Sequence, residues 1–124
     1  MSKFVKVKTE LRDLTMIKRS LDDLKLSYTE NTVWKHLFGG FSGKVDLVVN
    51  APRMSFGLRK NEQDVYEVLA DDMQVRPIKE TLQKVQQRYA YHKVLTETAK
   101  AGFDLVEEKV GTDQVIRLTV RRWN

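Results

Sequence analysis

Apolar and polar residues alternate in the first segment of the chain, residues 2–10. A period of two residues is typical of a β-strand that buries one of its faces. The two faces of the predicted strand carry Val5, Val7 and Thr9 on one side and Phe4, Lys6 and Lys8 on the other. We therefore expect the first of these faces to pack on a core.

The next apolar residues recur at intervals of three and four, which is the period of an amphipathic helix. These residues are Leu14, Ile17, Leu21 and Leu24. Asp13 precedes them as the predicted N-cap, because a carboxylate at that position accepts a hydrogen bond from a free backbone N–H. We expect the helix to end near Leu26.

The middle of the chain predicts an antiparallel meander. Its extended segments are rich in β-branched and aromatic residues or alternate in polarity, and they are residues 27–36, 44–50, 54–59 and 65–70. A glycine-rich turn is predicted at residues 38–44. A second turn is predicted at residues 60–63, where Asn61 suits turn geometry.

A long helix is predicted to begin with Pro77, since proline suits the first helical position. Its apolar residues keep helical spacing and are Ile78, Leu82, Val85 and Tyr89. The stripe drifts after Tyr91, which indicates a bend or a second contact surface. Gly102 suits the left-handed position that follows a helix end. Residues 71–76 are predicted as a short linker before this helix.

Residues 103–110 and 115–123 predict a terminal β-hairpin. The order of elements indicates an α+β fold, with an antiparallel sheet of about five to seven strands and two helices packed on one face. The opposite face of the sheet is expected to be partly open. A length of 124 residues is typical of a single domain, residues 1–124.

The chain carries 22 lysine and arginine residues against 17 aspartate and glutamate residues, a formal net charge of +5. A localised basic excess attracts nucleic acid or other anionic partners. Part of the excess lies near the termini, and this candidate binding face consists of Lys6, Lys8, Arg117, Arg121, Arg122 and Trp123. If the terminal strands are neighbours, these residues share one face.

Several kinds of catalytic and metal site lack support. Cysteine is absent, which excludes disulfides, thiolate zinc sites and cysteine nucleophiles. Residues 39–44 match a phosphate-binding loop only in part, because Phe38 and Val45 stand where that motif needs glycine and a hydroxyl residue. His36 and His92 lack ligand spacing, and no serine lies in a nucleophile elbow. We predict no enzymatic activity, no cofactor and no metal.

Residues 88–92 form the densest group of aromatic and basic side chains. Tyr89 falls on the apolar stripe and is predicted to join the core. Arg88, Tyr91 and His92 are candidate partner contacts on the helix, and the alternative is that they pack at the sheet edge. The pattern of aromatic and basic residues on adjacent strands that is typical of RNA-binding sheets is missing.

No segment approaches the 18 or so uninterrupted apolar residues of a membrane-spanning helix. The amino terminus also lacks the apolar region of a secretory signal. We expect no membrane insertion and a cytoplasmic protein, or one in the plastid stroma if it is plastid-encoded.

Four segments resemble the small hypothetical chloroplast reading frame thirty-five family of plastids, cyanobacteria and other bacteria, namely residues 1–4, 87–92, 97–103 and 116–124. The similarity runs through the whole chain and is strongest over residues 85–124. The chain departs from the plastid pattern at residues 38–44 and 59–61. These departures favour a non-plastid bacterial member.

The resemblance implies no enzymatic activity and no catalytic residues. It also implies an adaptor or assembly role, because bacterial members of the family lie near genes for a ring-forming ATPase. We therefore predict a non-enzymatic protein-binding or assembly factor with a protein partner. The alternative is a nucleic-acid or ribosome-associated module that uses a basic sheet face. Whether a second copy of the chain covers the open sheet face is left open.

Overall fold

The computed structural model describes residues 4–35, 42–110 and 116–122. Its elements are β1 (Phe4–Lys8), α1 (Leu14–Asp23), β2 (Ser27–Lys35), β3 (Ser42–Ala51), β4 (Met54–Lys60), β5 (Tyr66–Asp71), a 3₁₀ turn (Asp72–Gln74), α2 (Val75–Lys100), β6 (Phe103–Val110) and β7 (Ile116–Arg122). Five strands form an antiparallel sheet in the order β1-β5-β4-β3-β2, and β6 pairs with β7 in a separate sheet. The predicted α+β fold is confirmed.

One face of the five-stranded sheet carries both helices and the main core. The core residues on α1 and α2 are those that the helical spacing predicts, and they include Ile17, Leu21, Ile78, Leu82, Val85 and Tyr89. They pack with inward-facing strand residues such as Leu47, Val49, Phe56 and Val68. Burial of these apolar side chains on both layers is the main force that holds the helices on the sheet.

The start of α1 is fixed by two side chains. The Asp13 carboxylate accepts a hydrogen bond from the Met16 backbone N–H at 3.1 Å, which confirms the predicted N-cap. The Tyr89 hydroxyl on α2 accepts the backbone N–H groups of Arg12 and Asp13 at 3.1 and 3.0 Å. The core tyrosine therefore also provides a hydrogen-bond acceptor for the backbone that leads into α1.

Both helices have boundaries that differ from the prediction. The helix α1 ends at Asp23, because Lys25 has a left-handed φ of 57° and the Leu26 N–H turns back to the Leu21 carbonyl at 2.9 Å. The helix α2 begins at Val75, so the predicted linker is instead the end of β5, the 3₁₀ turn and the first helical residues. Pro77 still lies in the first turn, where its missing N–H costs nothing.

The loops between strands also differ in part from the prediction. Residues 36–41 lie outside the described residues, whereas residues 42–44 belong to β3 and not to a turn. At the β4–β5 connection, the Asn61 side chain accepts the N–H groups of Gln63 and Val65 at 2.9 and 3.1 Å. The left-handed residue of this turn is Asp64 and not Asn61.

A second apolar cluster covers part of the sheet face opposite the helices. It consists of Trp34, Val45 and Leu69, with Phe4 and Val48 packed against them. The Phe4 and Trp34 rings lie 5.9 Å apart, although β1 and β2 are opposite edges of the sheet. The outer half of the β2–β3 hairpin therefore folds across this face, and the middle of the sheet is buried on both sides.

Two residues allow this fold-over. Asn31 has a left-handed φ of 49°, and it separates Tyr28, which packs on the helix side, from Trp34, which packs on the other side. Gly57 on β4 lies beneath the hairpin, where an added Cβ would come within 3.1 Å of Val45 and 3.2 Å of Trp34. The missing side chain gives the tryptophan room to approach the sheet.

Candidate functional site

The terminal basic residues do not lie on neighbouring strands. The strand β1, with Lys6 and Lys8, pairs with β5 at the edge of the five-stranded sheet, whereas β7, with Arg117, pairs with β6 in the other sheet. Arg121 and Arg122 also belong to β7, and Trp123 lies outside the described residues. Exposed lysines on an edge strand discourage pairing with other strands. The terminal strands are therefore not neighbours, and the condition under which their basic residues would share one face is not met.

Two of the three candidate contacts on α2 bind another part of the same chain. Arg88 donates from Nε and a terminal nitrogen to Asp23 Oδ2 at 3.1 and 3.0 Å. His92 Nε2 lies 2.6 Å from the same oxygen. This Asp23 cluster joins the end of α1 to the middle of α2. Tyr91 completes it, because its ring lies 4.2 Å from the Arg88 guanidinium carbon and meets the His92 ring edge-on at 5.3 Å.

Sequence reasoning missed Asp23, which is 65 residues from Arg88 along the chain. One signal was present, because α1 has no basic residue in its last turn and ends in Asp22 and Asp23. Negative charge at a helix carboxyl end opposes the helix dipole. The Arg88 guanidinium on α2 offsets this unfavourable placement, and the His92 ring adds a second hydrogen-bonding partner. Burial alone acts to raise the pKa of Asp23, but hydrogen bonds from His92 and Arg88 hold that pKa below its ordinary value.

Asp23→Asn is expected to lower the free energy of unfolding by about 1 kcal/mol at pH 7, which is typical of a partly exposed ion pair. The contribution of a carboxyl whose pKa is depressed on folding is present above its unfolded pKa and is lost as the pH falls through the folded value. Urea unfolding from pH 7 down to pH 2 is expected to show the two proteins converging below about pH 4. A constant difference across this range, or an equal effect of the exposed control Glu62→Gln, would contradict this role.

A groove of about 710 Å³ opens between α2 and β7. Its floor is apolar and is formed by Ala90, Tyr91, Val94, Ile116 and Leu118. Its rim is polar and is formed by Glu80, Gln83, Lys84, Gln86 and Gln87. Val94 on the floor is 38% exposed. We call this feature the α2–β7 groove.

The α2–β7 groove runs along α2 from Glu80 to Val94, on residues other than those that pack on the main core. The buried residues of α2 that pack on the main core end at Tyr89. The helix α2 also contacts β6 and β7, and its residues Ala90, Tyr91 and Val94 line the groove. The helix therefore has a second contact surface, which is one of the two interpretations of the drift.

A second cavity of about 590 Å³ lies beside the folded hairpin. It is lined by polar groups that include Asn31, Lys44, Asp46 and Arg59. Arg59 pairs with Glu67 at 3.0 Å, and Asp46 accepts the Lys60 backbone N–H at 3.0 Å. These pairings join β4 to its two neighbours, β5 and β3, so we assign the cavity a structural role.

Within residues 4–35, 42–110 and 116–122, no three His, Asp or Glu side chains come together in a way that suits a metal ion. His36 lies outside these residues. In the same part of the chain, no helix combines the length and the apolar character needed to cross a bilayer.

Comparison with known proteins identifies the family. The model of DUF1257, described as a protein of unknown function, matches residues 20–119. The chain belongs to this family. The matched range contains the Asp23 cluster and every residue that lines the α2–β7 groove.

The similar proteins are plastid-encoded members described as uncharacterized protein ycf35. The one from Pyropia yezoensis is 32% identical and the match covers 100% of this chain and 99% of the relative. Those from Guillardia theta and Cyanophora paradoxa are 32% and 30% identical, and each match covers 99% of this chain and 98% of the relative. No solved structure matches the chain. The resemblance seen in the sequence is confirmed at the level of the family.

Proposed function

We propose that this chain is a non-enzymatic protein-binding or assembly factor that engages a protein partner through the α2–β7 groove. The observation that supports the proposal is an apolar floor that stays open to solvent within a polar rim. This combination of an apolar centre and a polar margin is typical of protein-binding surfaces. The buried residues of the main core lie on another face of α2, so the groove is available without unfolding.

The Asp23 cluster takes no catalytic role in this proposal. Arg88 and His92 both bind the same carboxylate oxygen of Asp23, and this arrangement holds α1 against α2. A catalytic base instead needs an atom within reach of a substrate proton. The cluster also fixes the orientation of Tyr91 beside the groove, so its contribution to binding is positional.

The experiment is an affinity purification of the tagged full chain from its own host, with half of the extract treated with nuclease. We expect a defined set of proteins to survive nuclease treatment. A ring-forming ATPase is the partner that the family resemblance suggests, and mass spectrometry of the retained proteins tests it. Loss of the bound material on nuclease treatment would favour a nucleic-acid module instead.

Val94→Arg is expected to reduce recovery of the nuclease-resistant partner about tenfold, because a charged side chain on the floor loses its hydration when a partner covers it. The matched control is Val33→Arg. Val33 is 44% exposed, close to the 38% of Val94, and lies on β2 away from the groove. Equal recovery with both variants would refute the groove as the binding surface, and urea unfolding would verify that both remain folded.

A further inference from the structure

We propose that a second copy of this chain pairs with β7 along the edge that faces away from β6, so that the α2–β7 grooves of the two copies join into one cleft. This inference goes beyond the proposed function, because it assigns a surface through which the chain binds itself and makes both copies contribute to the groove. It follows from the strand edges, from the sequence of β7 and from the charge of the groove lining.

The free edge of β7 differs from the other strand edges in the described part of the chain. Short length, exposed lysines, bends and irregular pairing all oppose the addition of another strand. The five-residue strand β1 carries two exposed lysines, β2 contains the left-handed residue Asn31, and the pairing of β6 is irregular between Leu105 and Glu107. The strand β7 has no left-handed residue over Ile116–Arg122 and pairs with β6 alone among the described strands. Its outer edge is therefore the one best suited to strand addition.

The β6–β7 hairpin forms a layer that α2 covers only in part. A two-stranded hairpin is marginally stable by itself and gains stability from further strands or from a helix packed on one face. The helix α2 contacts β6 more extensively than β7. Ile116 and Leu118 line the groove and are half-buried, whereas Arg117 and Thr119 between and after them are exposed. A second hairpin beside β7 extends this layer to four strands.

The sequence of β7 suits antiparallel pairing with itself in a register centred on Leu118. In that register Leu118 lies opposite Leu118 of the second copy, and Arg117 lies opposite Thr119. Registers centred on Arg117 or on Thr119 place arginine opposite arginine, which is unfavourable. A register centred on Val120 places Leu118 opposite Arg122. Because Leu118 lines the groove, the favoured register sets the two grooves side by side at the two-fold axis.

The charge of the groove lining is compatible with a second copy. The lining carries one glutamate, Glu80, and one lysine, Lys84, among uncharged residues. Two neutral linings meet without net repulsion. A two-fold axis perpendicular to the sheet also keeps both α2 helices on the same face, so Ile116 and Leu118 of both copies share one apolar floor. The protein partner of the proposed function then meets a cleft built by two copies.

The first test is sedimentation velocity of the purified full chain over a range of concentrations. We expect a species of twice the 14.5 kDa of one chain. Leu118→Arg places arginine opposite arginine at the centre of the register and is expected to weaken self-association about tenfold. The control Val33→Arg on β2 is expected to leave self-association unchanged, and urea unfolding verifies that both variants are folded. A monomer at every concentration, or equal self-association of the two variants, would overturn the inference.

The second test relies on the absence of cysteine, which makes an introduced thiol the only one in the chain. Residues directly opposite each other in an antiparallel pair have Cβ atoms about 5 Å apart, close to disulfide distance. Leu118→Cys is therefore expected to form a disulfide-linked dimer on mild oxidation. The matched variant Val94→Cys lines the same groove from α2 and is expected to react more slowly. Faster linkage at position 94 would show that the helices meet and the strands do not pair.

The two proposals fail in different ways. If the chain is monomeric but Val94→Arg still lowers recovery of the nuclease-resistant partner, the self-association is wrong and the protein-binding function stands. If the chain dimerises through β7 but Val94→Arg and Val33→Arg recover the partner equally, the groove does not bind another protein and the self-association stands.

Discussion

Trp34→Ala is expected to lower the free energy of unfolding by about 3–5 kcal/mol, the usual cost of removing a buried tryptophan side chain. Trp34 is 4% exposed and is the largest side chain of the cluster that covers the second sheet face. It joins β2 to Phe4 on the opposite edge of the sheet. Since small domains have a total free energy of unfolding of about 5–15 kcal/mol, this loss is a large fraction of that total. Urea unfolding measures it.

The loss is expected to be accompanied by local opening of the hairpin. Without Trp34, the outer half of β2 and β3 keeps its strand pairing but loses its packing on the sheet. Amide hydrogen exchange is therefore expected to accelerate at residues 32–35 and 42–45 more than elsewhere in the sheet. The neighbouring control Val33→Ala removes an exposed side chain and is expected to cost less than about 0.5 kcal/mol. A comparable cost for both variants would contradict the packing role of the tryptophan.

Phe56→Ala is expected to cost about 3–5 kcal/mol on the other side of the same sheet. Phe56 is 0% exposed and is one of the largest fully buried side chains of the chain. It belongs to the main core that includes Ile17, Leu21 and Ile78 on the two helices. Its removal leaves a cavity between the sheet and the helix layer, and closely packed helices close such a cavity only in part.

The less severe truncation Phe56→Leu is the control, and its expected cost is smaller than that of alanine because it leaves a smaller cavity. Urea unfolding gives both values, and an unchanged slope of the unfolding free energy against urea would show that the unfolded states are comparable. If Phe56→Ala cost less than about 1 kcal/mol, the helices would not be held by this core.

Trp34 and Phe56 show which part of the core the sequence patterns could predict. The helical spacing of α1 and α2 identified their core faces, because a period near 3.6 residues is a local property of the chain. Phe56 and Leu58 alternate on β4, but Gly57 between them is also buried. An alternating pattern predicts one buried face, and the second face became buried only when the hairpin folded over it.

The candidate site, too, was predicted from the sequence only in part. The drift of the apolar stripe after Tyr91 indicated a second surface on the long helix, but the α2–β7 groove already begins at Glu80, well before the drift. The partner of Arg88 and His92 could not be predicted, since Asp23 lies on a different helix. The basic residues of the two termini were predicted to share a face if their strands were neighbours, and strand order separated them.

The sequence by itself determined the α+β class, the N-cap at Asp13, the core stripes of both helices, the terminal hairpin and the family. Each of these depends on local spacing or on similarity along the chain. Only the tertiary structure decided the strand order and the bend of the hairpin at Asn31. It also decided the close packing of Trp34 on Gly57 and the cluster around Asp23. These features join residues that are distant in sequence, and their free energy comes from packing and charge contacts that no local pattern contains.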